Sequence, residues 1–241
     1  MPSERVAILV DQFYDARTNG TAEFFELVAN HLQPGDRLLD LGCGPGKKET
    51  NYQARGAVVF GCDYTNDVAR NRFVVAGVRG DAYHLPFADE TFDIVTMDFV
   101  AEHLESPQLC VAELARVLRP GGRVFFRTPN FYHYVALIAY LTPHWFHRLV
   151  IHALDGSNER EAFATFYRAN TRRTLRRLFS ACELSCEQMR VIEKEPFYLS
   201  FAVPSFWIGY LYERVVNRFA VLEMFRSSIL GHFRKSTGPT S

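Results

Sequence analysis

Apolar positions along the chain follow two rhythms. From residue 4 to 32 they recur at helical spacing, most plainly in "TAEFFELVANHL", and Pro34-Gly35 stops that segment. Short, dense apolar runs then take over: "RLLDL" (37–41), "AVVFGCD" (57–63), "VVAGVRGDA" (74–82), "FDIVTMD" (92–98) and "GRVFFRTP" (122–129). Runs this apolar suit strands covered on both faces. Helix-length segments between them predict a doubly wound parallel sheet with right-handed crossovers. One such segment, "SPQLCVAELARVL" (106–118), predicts a helix capped by Ser106, with Pro107 in its first turn and Pro120-Gly121-Gly122 at its end.

The second half changes character. Residues 130 to 170 are rich in Phe, Tyr, His and Leu and show no alternation. "NTRRTLRRLFSACEL" predicts a helix capped by Thr171, "SCEQMRVIE" (185–193) a sixth strand, "PSFWIGYLYERVVNRFAVL" (204–222) an aromatic helix, and "SSILGHFRK" (227–235) a closing strand. In "RRTLRRLF" the arginines take one side and Leu175, Leu178 and Phe179 another, which is a solvated amphipathic helix rather than an RNA-binding one.

Composition narrows the function classes. The 241 residues are 48% apolar and 22% charged, an ordinary globular composition with room for one sizeable core. Formal net charge is zero, which demotes nucleic acid as a partner. The five cysteines, at 43, 62, 110, 182 and 186, form no CxxC pair, so neither a disulfide framework nor a structural zinc is expected. That usage fits a reducing compartment, and a cytoplasmic location is expected. The apolar run Val6 to Val10 is too short for a signal peptide, and no segment reaches the length of a membrane span. His133, His144, His147 and His152 lack zinc-ligand spacing with a carboxylate, so no metal site is expected.

The chemistry concentrates in "LLDLGCGPGKKET", where a strand runs into Gly42, Gly44 and Gly46 and a helix is expected to follow. Glycines there let a ligand approach the backbone, and a helix start offers free N–H groups. A dinucleotide fingerprint does not fit, because Lys47 stands where its third glycine belongs, and the P-loop pattern fails as well. Asp40 precedes Gly42 by two residues. Its carboxylate would repel a pyrophosphate and welcome an ammonium group. S-adenosylmethionine (SAM) carries such an ammonium, with a ribose and an adenine.

"LLDLGCGPGKKE" resembles the first motif of class I SAM-dependent methyltransferases. "VVFGCDYT", "GDAYHLPFADETFDIVTMDFVAEHL" and "ELARVLRPGGRVFFRTPN" resemble the later motifs, in the family's order, across about residues 36 to 130. The wording "EHL" and "RVLRPGG…TPN" is most similar to the small-molecule, quinone and lipid methyltransferases. The resemblance implies a Rossmann-like, doubly wound α/β fold. Its seven-stranded, mostly parallel sheet would have helices on both faces and a last strand running antiparallel. It implies SAM as cofactor, with Asp40, Gly42, Cys43 and Gly44 at the methionine end. Asp63 would take the ribose, Tyr64 would lie beside the adenine, and Asp81 would accept its amino group, near Ala82 and Tyr83. Asp98 and Phe99 would line the cleft between cofactor and acceptor. His103 of the Glu102-His103 pair is the candidate general base. A metal reading of that pair is weakened because Phe99 stands where an earlier acidic residue would be.

The chain then reads as a single methyltransferase domain over 1–241: a helical cover (1–35), a SAM-binding core (36–130), a lid-like insertion (131–170) and the remaining sheet (171–241) with the helical insertion 204–222. The expected reaction is methyl transfer to oxygen or carbon of a small, apolar or aromatic acceptor. Nucleic-acid or protein methylation and a non-catalytic SAM-binding subunit are the alternatives. The aromatic segments 131–151 and 204–219 are candidates for acceptor cover, for contact with a membrane surface, or for a homodimer interface.

Overall fold

Seven strands form one sheet in the order β3-β2-β1-β4-β5-β7-β6. They are β1 (Arg37–Leu41), β2 (Val58–Asp63), β3 (Ala76–Arg79), β4 (Phe92–Asp98), β5 (Leu118–Pro129), β6 (Leu184–Ile192) and β7 (Ser228–Lys235). The first five pair in parallel. β7 enters antiparallel between β5 and β6. The computed structural model describes residues 4–14, 19–48, 51–141, 163–194 and 199–237. Six α-helices lie among these: α1 (Glu4–Phe13), α2 (Gly20–Ala29), α3 (Pro107–Val117), α4 (Tyr134–Leu141), α5 (Arg172–Ser180) and α6 (Val203–Arg218). None is long and apolar enough to cross a membrane.

Strand alternation divides the core into two layers. Leu39 and Leu41 of β1 join Cys110, Val111 and Leu114 of α3 and Leu175 and Phe179 of α5 on one face. Leu38 joins Phe24, Leu27 and Val28 of α2 with Phe125 and Leu230 on the other. Asp40 shares the parity of Leu38 and so belongs to the α2 face. Phe179 and Phe233 stack with ring centroids 4.1 Å apart, which fixes α5 against β7.

Local signals decide where elements start and stop. Thr171 caps α5 by accepting the Thr174 N–H at 3.1 Å, as its sequence predicts. Ser106 stands at the cap position of α3 but makes no side-chain cap bond. The Tyr83 hydroxyl accepts its N–H at 3.2 Å instead, together with that of Glu105 at 2.8 Å.

Three expectations need correction. Where a helix is expected after the glycine loop, the described residues include a 3₁₀ turn (Tyr52–Arg55), capped by Asn51 and stopped by Gly56, while residues 49–50 lie outside them. Pro120-Gly121-Gly122 does not end α3: the chain turns extended at Leu118, which pairs with Phe92, and the Pro-Gly-Gly step lies inside β5 at a register shift. The aromatic helix ends at Arg218 and continues as a 3₁₀ segment (Ala220–Phe225).

Gly231 shows how tightly β7 is inserted. A methyl group there would fall on the backbone carbonyl of Gln188 and lie 2.9 Å from the Met189 Cα, where the β6–β7 register shifts. β7 is paired on both sides and cannot move away from β6 without straining its ladder with β5. Gly231→Ala is expected to lower unfolding stability by about 2–3 kcal/mol, at the upper end of overpacking costs, read as a fall in the denaturant midpoint.

Candidate active site at the carboxyl edge of the sheet

The strand order reverses between β1 and β4, so crossovers leave the sheet on opposite sides and open a crevice at the strands' carboxyl ends. The Gly42–Gly46 loop leaves β1 there. Gly44 adopts φ +48°, and a Cβ at this position would meet nothing within 4 Å. The backbone therefore faces an open cradle. Gly46, at φ +78°, has the opposite reason to be glycine: a Cβ would collide with the Asn71 side chain. Asn71 reaches the loop by donating to the Gly44 carbonyl at 3.3 Å.

Two carboxylates flank the cradle. Asp63, ending β2, accepts the Gly44 N–H at 2.8 Å. Its other oxygen accepts the Thr65 N–H at 2.8 Å and the Thr65 hydroxyl at 2.7 Å. A carboxylate has about four lone-pair sites, so one stays open and turning the Thr65 hydroxyl frees a second. Asp40 accepts the Thr96 hydroxyl at 2.9 Å. Burial pushes its pKa up to about 7, against that hydrogen bond and with help from the charge of Asp98. Such a carboxyl is poised to ionise beside a cation. Cys43 contributes backbone and packing, since burial pushes its thiol up to about 12.

Further along the edge, Tyr64 is 67% exposed. Asp81 is exposed as well, and accepts the Tyr83 N–H at 2.9 Å. Ala82 and Tyr83 are half-buried and pack on the core. Asp98 forms a bidentate pair with Arg127 of β5, at 2.7 and 2.8 Å. Phe99, at φ +57°, lays its ring 4.5 Å from that guanidinium. Arg127 also donates to the Thr21 hydroxyl at 3.1 Å, tying α2 to the edge.

Beyond Phe99 and Arg127 lies a cavity of about 440 Å³. Pro129, Val135, Ala136 and Ile192 give it apolar wall, while Lys47, His133, Glu193 and Lys194 bring charge or a titratable ring. Residues 133–136 thus line it, whereas α6 contributes none of its described lining. Trp207 of α6 packs on Phe13 of α1 at 5.4 Å instead. Residues 142–162, including Trp145, lie outside the described residues. His103 is not part of the described lining either. Its Nδ1 sits 3.0 Å from the Ala164 carbonyl and its ring packs on Phe163. Its neighbour Glu102 is buried, accepts the Thr128 hydroxyl at 3.1 Å, and is pushed up to about 7 by burial.

Residues 39–126 match a family profile described as a methyltransferase domain. Over that stretch the chain is similar to methyltransferase domains. Demethylmenaquinone methyltransferase of Thermobifida fusca is 39% identical over 99 residues, covering 37% of this chain and 42% of that protein. The same enzyme of Mycobacterium sp. strain KMS is 41% identical over 104 residues, covering 41% and 45%. The matched stretch thus spans less than half the length of these curated relatives. Among solved structures, an S-adenosylmethionine-dependent methyltransferase of Mesorhizobium loti superposes with a TM-score of 0.61 at 16% identity, covering 90% of this chain and 99% of that one. Geranyl diphosphate C-methyltransferase of Streptomyces coelicolor A3(2), solved with Mg2+, a geranyl thiolodiphosphate and S-adenosylhomocysteine, gives 0.56 at 15%, covering 89% and 76%. At these identities the likeness is one of fold, and the sheet described above is the methyltransferase sheet.

Thr65, Asn71, Thr96 and Arg127 shape this domain's edge, and none stands out in the sequence. Arg127 matters most for integrity, since its side chain is 5% exposed and that of Asp98 is 19% exposed. Arg127→Met leaves the Asp98 carboxylate without its partner. The expected loss is about 3 kcal/mol of unfolding stability, read by chemical denaturation. Arg127→Met with Asp98→Asn should recover part of it.

Proposed function

We propose that this protein transfers a methyl group from SAM to a small acceptor bearing an aromatic or quinol-type ring. The observation that carries the reading is the open cradle at Gly44, flanked by Asp40 and Asp63 and followed along the same edge by the cavity beyond Phe99. The residues fit the cofactor: a buried carboxyl for its ammonium, a partly engaged carboxylate for its ribose, and bare backbone between them. SAM supplies an activated methyl group on a sulfonium, so the protein's part is alignment and exclusion of water.

Each residue then has a task. Asp40, ionised, holds the ammonium, and the Gly42–Gly44 backbone lets the methionine end approach. Asp63 holds the ribose. Tyr64, whose side chain is largely exposed, covers the adenine, and Asp81 accepts from its amino group. Phe99, clamped over Arg127, separates cofactor from acceptor. The relatives' demethylmenaquinone substrate supports a ring acceptor, and the apolar part of the cavity wall suits one. Zero net charge weighs against nucleic acid.

Two outcomes are expected from calorimetry. Asp63→Ala should weaken SAM binding by about 1.5–3 kcal/mol for each charge-assisted hydrogen bond lost. Unchanged affinity would remove Asp63 from the ribose. The second concerns pH. Asp40 holds the ammonium only when ionised, and its raised pKa makes it protonated below about 7. Affinity should therefore be full above that pH and fall by up to about tenfold per pH unit below it. Asp40→Asn should bind weakly at every pH and lose that slope.

A further inference from the structure

One titratable pair faces the cavity and has no part in holding the cofactor. His133 follows β5 and immediately precedes α4; Glu193 follows β6. Both line the cavity, yet their side chains are only 4% and 5% exposed. The His133 Nε2 stands 3.7 Å from the Glu193 Oε2. Glu193 is fixed by accepting the Ser227 N–H at 2.7 Å. The imidazole is held between aromatic rings, 4.2 Å from Tyr134 and 5.8 Å from Tyr212. A buried imidazole and a buried carboxyl, packed into the wall of a ring-sized cavity, are the parts of a proton-accepting site. His103, the histidine the sequence favours, is turned to a loop carbonyl outside this lining.

We infer that His133 accepts the proton of a ring hydroxyl on the bound acceptor, with Glu193 as the residue that positions and compensates it. This rests on the methyl-transfer reading above and deepens it: the acceptor is a phenol or quinol. The hydroxyl O–H bond breaks, an N–H bond forms at the imidazole, and the electron pair stays on the acceptor oxygen. That pair forms the oxygen–methyl bond, or through the ring the carbon–methyl bond, as the sulfur–methyl bond breaks and its electron pair stays on the sulfur of departing S-adenosylhomocysteine. In the ring case the ring C–H proton then leaves to solvent and restores the aromatic ring. The imidazolium afterwards returns its proton to solvent.

Electrostatics agree with that assignment. Burial lowers His133 to about 4, so the ring is neutral in the free protein and takes a proton only with a compensating charge beside it. Burial, with the nearby Glu213, raises Glu193 to about 8. The groups around the pair are Glu213 and Tyr212 on α6, Tyr134 on α4, Arg226, which favours ionised Glu193, and Lys47, Lys194 and Arg127 on the cavity wall. A proton arriving on His133 is best compensated once Glu193 is ionised. The transfer rate should therefore rise with pH toward about 8, where Glu193 loses its proton. Asp40 and Glu102 are also raised, so only the loss of this limb in Glu193→Gln identifies it.

The test uses the full chain with SAM and a panel of naphthols and 1,4-naphthoquinols. His133→Ala should keep its SAM affinity and lose about 10²–10⁴-fold in kcat, with activity recovered by added imidazole. His133→Gln, which fills the space, should show the same loss without recovery. In ¹⁵N-histidine spectra taken with S-adenosylhomocysteine present, the neutral His133 resonance should move when a naphthol is added. Activity of His133→Ala within a few-fold of wild type overturns the inference. So does a loss without imidazole rescue combined with a His133 resonance that naphthol leaves unmoved. Wild-type protein that binds SAM yet turns over none of the panel overturns it too, while the cofactor reading stands. Wild-type protein that fails to bind SAM sinks the methyl-transfer reading, and the histidine spectra still decide whether His133 meets the probe.

Discussion

The reversal of strand order between β1 and β4 is the constraint on which the site depends. A parallel sheet must return each chain end to the opposite edge through a crossover. When successive crossovers leave in opposite directions, the two strands at the reversal end beside a gap that no backbone fills. β1 and β4 are those strands here. The glycine loop, Asp40, Asp98 and Phe99 are all at their carboxyl ends, and Asp63 and Arg127 stand one strand further out on either side. Hydrogen bonds across the gap are short in space and long in sequence, as with Thr96 to Asp40 and Gly44 to Asp63.

Placing several carboxyl groups at one edge carries an electrostatic cost, and the structure meets it unequally. Asp98 is neutralised by a bidentate arginine, which leaves little for a ligand to gain there. Glu102 accepts only a hydroxyl, and Asp40 likewise, so burial raises both. The unequal treatment separates roles. A carboxylate whose partner is built in serves the architecture, whereas one whose counter-charge is missing is completed by a cation from outside. By this logic Asp98, paired with Arg127, belongs to the frame.

The strands were legible because each is a compact apolar run: β1 and β4 begin and end where the hydrophobic pattern does. The closing strand was legible for the same reason, with "SILGHF" buried almost throughout. The helix after the glycine loop was not, because Asn51 and Gly56 punctuate a segment too short for more than one turn. Pro120-Gly121-Gly122 reads as a terminator in sequence, yet the fully buried Leu118 pulls the chain into the sheet before it and turns it into a bulge. Within the site, residues fixed by a motif were named, while those fixed by a cross-strand partner were not. Arg127 lies 29 residues from Asp98 and 106 from Thr21, a relation that periodicity does not express.

The aromatic residues outside the site also have structural work. Among the described residues much of it is packing: Phe126, Phe179 and Phe233 stack on one another, and Phe13, Phe206, Trp207 and Tyr210 join α1 to α6. Among the described residues Phe99, Tyr134 and Tyr167 reach the cavity. A cavity walled entirely by rings would bind an apolar acceptor and do nothing to its hydroxyl. Interrupting the apolar wall with a buried imidazole and carboxyl costs packing energy and desolvation. Methyl transfer to an alkene would need no such interruption, whereas transfer through a phenolic oxygen needs a proton taken away at the moment of attack. The polarity of this wall therefore says more about the reaction than the number of aromatic residues says about the substrate.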